Sequence, residues 1–198
     1  MKKQYLLKDC RRVLENLWLT RSLSKRQLKV LQKKKPAKES HFIAKLHLTR
    51  LLSLFYGGLS AAALKKIIGK ATQTKTIFGK AILSFLERRL DMVLYRSHFV
   101  TSLAEARQLI SHGFVEINGK PVTISSYTLQ YGDVFSLNLP SRTFQSFEAR
   151  AEKANLLPRR SSHLEVNYKV GAGVFLFTPQ QVDFPFQMTL TQLAKLAR

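Results

Sequence analysis

The chain has 198 residues, of which 33 are Lys or Arg and 12 are Asp or Glu, so its net charge is +21. This excess favours a polyanionic partner, with an anionic membrane surface as the alternative, and an apolar content of 45% excludes disorder throughout. The single cysteine, Cys10, excludes an intramolecular disulfide and a multi-cysteine zinc site, and no stretch is apolar for long enough to span a bilayer.

Residues 1–41 are read as a basic N-terminal extension with one or two helices. Their composition is compatible with a mitochondrial transit peptide, although Asp9 and Glu15 argue against one, and they lack the long apolar core of a secretory signal. The run KKKPAK at 33–38 is interpreted as an exposed arm or linker, because like charges extend a chain and proline breaks a helix. A merely solvated charge run is the alternative.

Residues 42–86 are predicted to form a helical domain. The apolar residues recur at helical spacing until Gly57-Gly58 interrupts the pattern, and Ser60 is a predicted N-cap of the helix that follows. Lys65 and Lys66 lie beside the apolar stripe of that helix, which is expected in the core. These two lysines are therefore either solvated or in contact with phosphate.

Two more helices are predicted next, the first of them over the whole of FGKAILSFLERRLDMVLYR. Ser102 and Glu105 fit a capping box, in which two side chains satisfy the backbone amides at a helix start. Gly113 suits the position just past the helix end, where a left-handed backbone is required. The buried stripe of this second helix is predicted to be Leu103, Ala106, Leu109 and Ile110.

After Gly113 the apolar period changes to that of a strand. Val115 and Ile117 alternate with a polar residue, and Asn118-Gly119 supplies the positive φ angles of a type I′ turn before a return strand. A further turn at 131–133 precedes the strand VFSLNL. Residues 141–162 are polar, and the tail is predicted to hold two extended segments and an amphipathic helix.

These motifs, in this order, resemble a known RNA-binding domain. The elements RRLD, AEARQLI, HG, EINGK and YGDV are similar to the domain named after the fourth small-subunit ribosomal protein. The preceding FYGGLSAAALKKIIGKA and the following HLEVNYKVGAGVFLFTPQQVDFPF resemble the flanks of that domain in the ribosomal family itself. The resemblance covers residues 42–140 and 163–186, and its departures from the bacterial pattern are most similar to a plant mitochondrial form.

The resemblance implies an α+β fold. A mainly helical domain would carry an inserted RNA-binding domain of two helices on a short antiparallel sheet, and the C-terminal tail would return to the helical domain. The expected divisions are 1–41 (extension), 42–86 (helical domain), 87–140 (RNA-binding domain), 141–162 (polar insertion) and 163–198 (tail).

The resemblance also implies a function, that of a structural constituent of the small ribosomal subunit in mitochondria or, second, chloroplasts. Its expected partners are the 5′ domain of small-subunit ribosomal RNA, neighbouring proteins such as one of the S5 type, and messenger RNA where it enters. No cofactor, metal or membrane is expected. The alternative is a free-standing RNA-binding factor in RNA modification or ribosome rescue. Asp91 lies in an R-L-D motif that pseudouridine synthases use, but no catalytic domain follows, so no enzyme is predicted.

The candidate RNA contacts are polar and basic residues of the two domains. One of Arg88 and Arg89 is expected to pair with Asp91 or Glu87 while the other faces RNA, and Arg107 is either an RNA contact or an ion-pair partner of Glu105 or Asp91. His112 is a phosphate donor or a structural histidine, and Asn118 is a contact or a turn residue. The full set is Lys65, Lys66, Arg88, Arg89, Arg96, Ser102, Arg107, Gln108, Ser111, His112, Asn118 and Lys120.

Overall fold

The computed structural model describes residues 9–13, 16–17, 24–31, 41–139 and 161–179. These residues fall into two compact units, one reaching up to Ile82 and the other beginning at Leu83. Helices and a small antiparallel sheet are both present, so the predicted α+β class is confirmed. None of the helices in the described ranges is long and apolar enough to cross a bilayer, and no cluster of three or more potential metal ligands occurs there.

The first unit is helical, as predicted. Residues 9–13 are helical and are followed by α1 (Lys25–Leu31), α2 (His41–Phe55), α3 (Ala61–Thr72) and the beginning of α4 (Phe78–Glu87). The glycines at 57 and 58 have φ angles of 76° and 73° and end α2. Ser60 then caps α3 by accepting a hydrogen bond from the backbone N–H of Ala63 at 3.2 Å, which confirms its predicted role. The core includes Val13, Leu17, Leu51, Leu52, Phe55 and Leu64.

The second unit combines α5 (Leu90–Arg96) and α6 (Leu103–Ser111) with one sheet. Its strands are β1 (Val115–Ile117), β2 (Lys120–Pro121), β3 (Val134–Leu137), β4 (Leu164–Asn167) and β5 (Ala172–Phe175). They are all antiparallel, in the order β2-β1-β3-β5-β4.

Side chains alternate across this sheet, so one face is buried and the other is open. Val115, Ile117 and Phe135 lie on the buried face, where the ring of Phe99, just after α5, packs edge-on against Phe135 at a centroid distance of 5.9 Å. Glu116 and Ser136 oppose each other on the open face. This alternation is the period-2 pattern that the sequence shows for β1 and β3.

The structure departs from the predicted domain division in the tail. Residues 164–175 do not return to the helical unit, because β5 pairs with β3 and β4 pairs with β5, which adds two strands to the sheet. Gly173 makes this pairing possible, since a Cβ at that position would lie 2.5 Å from Cζ of Phe135 and 2.9 Å from the carbonyl oxygen of Glu165. The predictions for residues 180–198, and for nearly all of the polar insertion, lie outside the described residues.

Candidate nucleic-acid interface

Helix α6 presents three of the predicted contact residues. Its start is fixed by Ser102, whose Oγ accepts from the backbone N–H of Glu105 at 3.3 Å, while the Glu105 carboxylate accepts from the N–H and hydroxyl of Thr101 at 2.9 and 2.8 Å. Ser102 is therefore a helix cap, and its contact with RNA stays a prediction. The helix buries Leu103, Ala106 and Ile110 and exposes Gln108 and Ser111, and His112 is exposed just after its end.

The end of α6 orients His112. This residue follows the last helical turn, and Gly113 takes a φ of 77°, as predicted for a residue past a helix end. The His112 ring is nearly parallel to that of Phe114, with centroids 6.1 Å apart and an interplanar angle of 17°. The Ser111 hydroxyl donates to the Gln108 carbonyl at 2.9 Å. Ser111 thus offers an oxygen acceptor, while the exposed His112 ring remains the candidate donor.

At the turn between β1 and β2, Asn118 and Lys120 have different roles. Asn118 and Gly119 have φ angles of 49° and 76°, which confirms the predicted turn geometry. Asn118 is a turn residue, because its Oδ1 accepts from the Val134 N–H at 3.0 Å and its Nδ2 donates to Oδ1 of Asp133 at 2.9 Å. Lys120 is exposed and pairs with Ile117, which places its side chain on the face of the sheet that carries the core.

Arg88 and Arg89 are both held within the unit. Arg89 forms a bidentate pair with Asp91, with Nε to Oδ1 at 3.0 Å and Nη2 to Oδ2 at 2.9 Å, and its side chain is 11% exposed. Arg88 donates from Nε to the Leu129 carbonyl and from Nη2 to the Gln130 amide oxygen, both at 2.8 Å. The predicted pairing with Asp91 is therefore made by Arg89, and contact of Arg88 with RNA stays a prediction.

Arg96 does not belong to the candidate surface. Its Nε and Nη2 donate to the two carboxylate oxygens of Glu87, each at 3.0 Å, and the two side chains are 6% and 0% exposed. A guanidinium in this position bridges α5 to the end of α4 inside the unit. The prediction of Arg96 as an RNA contact is corrected for this reason.

Arg107 adopts the ion-pair alternative, and its side chain is still partly exposed. Its Nε donates to Oδ2 of Asp91 at 2.9 Å, and 31% of its side chain remains accessible. Asp91 is only 1% exposed and accepts from Arg89 as well. Asp91 is thus a buried carboxylate that two guanidinium groups bind.

The helical unit carries a strong and uniform charge. Residues 41–82 contain seven Lys or Arg and no Asp or Glu. Lys65 and Lys66 are exposed on α3, and so is Lys70 one turn later. The opposite side of this helix buries Leu64 and Ala71. These lysines therefore form one exposed basic surface.

Comparison with known proteins identifies the family. The S4 domain family matches residues 88–135. The small ribosomal subunit protein uS4m of Marchantia polymorpha is 38% identical over 192 residues, which cover 94% of this chain and 96% of that protein. The uS4 protein of Paracoccus denitrificans is 34% identical over 185 residues, covering 91% and 88% of the two chains. The chain belongs to the uS4 family. The suspected resemblance is thereby confirmed.

Sequence reasoning did not find how the S4 domain fixes the start of α5. Arg89 occupies the cap position without a side-chain cap, and the N–H groups of Leu90 and Asp91 instead donate to the carbonyls of Tyr127 and Ser125 at 2.9 and 3.3 Å. These two carbonyl groups belong to a segment about 35 residues later in the chain. No motif near Arg89 predicts that they accept these hydrogen bonds. The segment thereby anchors the helix that carries Asp91.

Proposed function

We propose that this chain is a structural constituent of the small ribosomal subunit and binds small-subunit ribosomal RNA. Its family membership supports the proposal, since the relatives with high coverage are named small ribosomal subunit proteins. The S4 domain at 88–135 holds most of the candidate contact residues. We propose no catalytic step and no cofactor.

The observation that carries the proposal is the unequal distribution of charge. Residues 41–82 hold seven basic and no acidic residues, whereas residues 87–140 hold five of each. We propose that the basic surface of α3, with Lys65, Lys66 and Lys70, supplies salt-dependent attraction to phosphates. The neutral S4 domain would then add contacts that depend on shape, as is usual for helical RNA.

The S4-domain contacts that we propose lie on α6 and at the β1–β2 turn. Arg107 offers a planar guanidinium, His112 an exposed imidazole and Lys120 a mobile ammonium, and all three suit phosphate oxygens. Gln108 and Ser111 are exposed beside them and can add neutral hydrogen bonds. Shape and phosphate contacts of this kind fix the geometry of an RNA junction without reading its sequence.

We propose further that the RNA site is a helical junction in the 5′ domain, that binding there supports subunit assembly, and that the protein lies near the path of incoming messenger RNA. A neighbouring S5-type protein is the proposed protein partner. The 38% identity to a mitochondrial relative supports a mitochondrial ribosome as the location.

Co-sedimentation tests the function. An epitope-tagged chain is expected to migrate with small subunits in density gradients of mitochondrial lysates at moderate salt. The purified protein is expected to bind a transcript of the 5′ domain of small-subunit RNA more tightly than one of the 3′ domain. A chain that stays at the top of the gradient and does not distinguish the transcripts would point to the free-standing factor instead.

A further inference from the structure

Asp91 is a buried acidic residue in a domain that we propose to bind RNA. Its carboxylate is 1% exposed and accepts three charged hydrogen bonds, two from Arg89 at 2.9 and 3.0 Å and one from Nε of Arg107 at 2.9 Å. The bonds to Arg89 stay within the start of α5, whereas the bond to Arg107 joins α5 to α6. The carboxylate therefore links the candidate RNA helix to its neighbour.

We propose that Asp91 is a positioning residue, which fixes the Arg107 guanidinium in the orientation that receives an RNA phosphate. The proposal rests on the proposed function above, because it assigns a role within the same RNA site. The two arginines differ in exposure, at 11% for Arg89 and 31% for Arg107. Arg89 is accordingly the more buried partner of Asp91, and Arg107 keeps the side chain that a phosphate can approach.

Orientation matters because arginine is a long side chain with many rotamers. A free arginine must be ordered when it binds, and this ordering weakens binding by about two- to tenfold for one side chain. An arginine that is already fixed by a carboxylate avoids that loss. The planar guanidinium also has a direction, so holding its Nε sets the plane in which the rest of the group meets phosphate oxygens.

The proposal predicts a change opposite in sign to the simple charge effect. Asp91→Asn removes a negative charge near the RNA and, by long-range attraction alone, would tighten binding. Positioning predicts instead that Asp91→Asn weakens binding to a 5′-domain transcript by about two- to tenfold. The matched control is Glu116→Gln, which removes one carboxylate from the open face of the sheet, where it accepts from Asn138 at 2.9 Å. The control is expected to bind as tightly as the unmodified chain or more tightly.

A double-mutant cycle with Arg107→Gln decides whether Asp91 acts through Arg107. In the Arg107→Gln background, Asp91→Asn is expected to cause no further loss of RNA affinity. Binding is measured well below the melting temperature of each variant, so that all chains are folded. If Asp91 had only a structural role, Asp91→Asn would lower the melting temperature, and the coupling energy between the two substitutions in RNA binding would be zero. Arg107→Lys keeps the charge but not the guanidinium plane, and it is expected to bind RNA more weakly as well. If Asp91→Asn does not fold, this variant tests whether the orientation of the guanidinium matters.

Three results would overturn the proposal: an Asp91→Asn chain that binds at least as tightly as the original, equal losses in both backgrounds of the cycle, or an Arg107→Lys chain with unchanged affinity. A wrong functional proposal would give a different result from these three. The unmodified chain itself would then show no preference for the 5′-domain transcript.

Discussion

The buried pair of Arg96 and Glu87 gives the sharpest stability prediction. Glu87 is fully buried, and both of its carboxylate oxygens accept from Arg96 at 3.0 Å. Arg96→Met removes the cation that both oxygens of the Glu87 carboxylate bind and leaves that carboxylate buried inside the unit. Such a loss destabilises a protein by about 3–5 kcal/mol. Since about 1 kcal/mol lowers the melting temperature of a domain of about 60–100 residues by about 4–8 °C, a drop of more than about 12 °C is expected for the second unit, which runs from Leu83 to Gln180.

A second variant separates the missing charge from the missing bulk. When Arg96→Met is combined with Glu87→Met, neither charge is buried and both positions are filled by flexible apolar side chains. Replacing both members of a buried pair is often neutral or stabilising, so the double variant is expected to recover most of the loss. Urea and thermal unfolding, followed by circular dichroism, measure all three chains.

The same experiment tests the removal of Arg96 from the RNA-binding set. The double variant, once folded, is expected to bind the 5′-domain transcript like the unmodified chain. A loss below about 1 kcal/mol in Arg96→Met, the size typical of an exposed ion pair, together with weaker RNA binding by a folded double variant, would refute the reasoning. Arg96 would then act at the surface.

Other regions of the chain give three further predictions. Lys65→Gln with Lys66→Gln is expected to reduce the slope of log affinity against log salt by nearly two units, whereas Lys169→Gln, in the exposed β4–β5 turn, leaves it unchanged. Gly173→Ala is expected to cost about 1–3 kcal/mol in urea unfolding, because the added Cβ meets a side-chain carbon at 2.5 Å. Burial lowers the pKa of His163 below 6.5, a shift that Glu87 opposes and Arg96 reinforces. The unfolded chain therefore binds the proton more readily, so melting temperatures should fall as the pH drops below about 6.5, and His163→Phe should flatten that fall.

Features set by short segments could be predicted from the sequence. The cap at Ser102, the positive φ of Gly113 and the turn at Asn118-Gly119 each depend on a few neighbouring residues, and all three are confirmed. The α+β class is what the resemblance implies, and the change of apolar period between α6 and β1 agrees with it.

Features set by distant residues could not be predicted. The pairing of β5 with β3 joins segments about 38 positions apart. The residues of either strand do not predict which strand it pairs with. The arginines pose the same problem, since a sequence does not say which carboxylate lies near a guanidinium in space. Arg96 is a predicted RNA contact and is instead buried against Glu87, nine positions earlier.

The zero net charge of residues 87–140 does not count against RNA binding once the partners of its acidic residues are known. Glu87 and Asp91 are buried against arginines, and Glu105 and Asp133 accept backbone N–H groups at a helix start and a turn. Glu116 accepts from Asn138 on the open face of the sheet. The acidic residues are thus engaged within the fold or lie on the open face. The basic side chains that keep accessible surface for a phosphate are those of Arg88, Arg107 and Lys120, so the arrangement of charge matters more here than its sum.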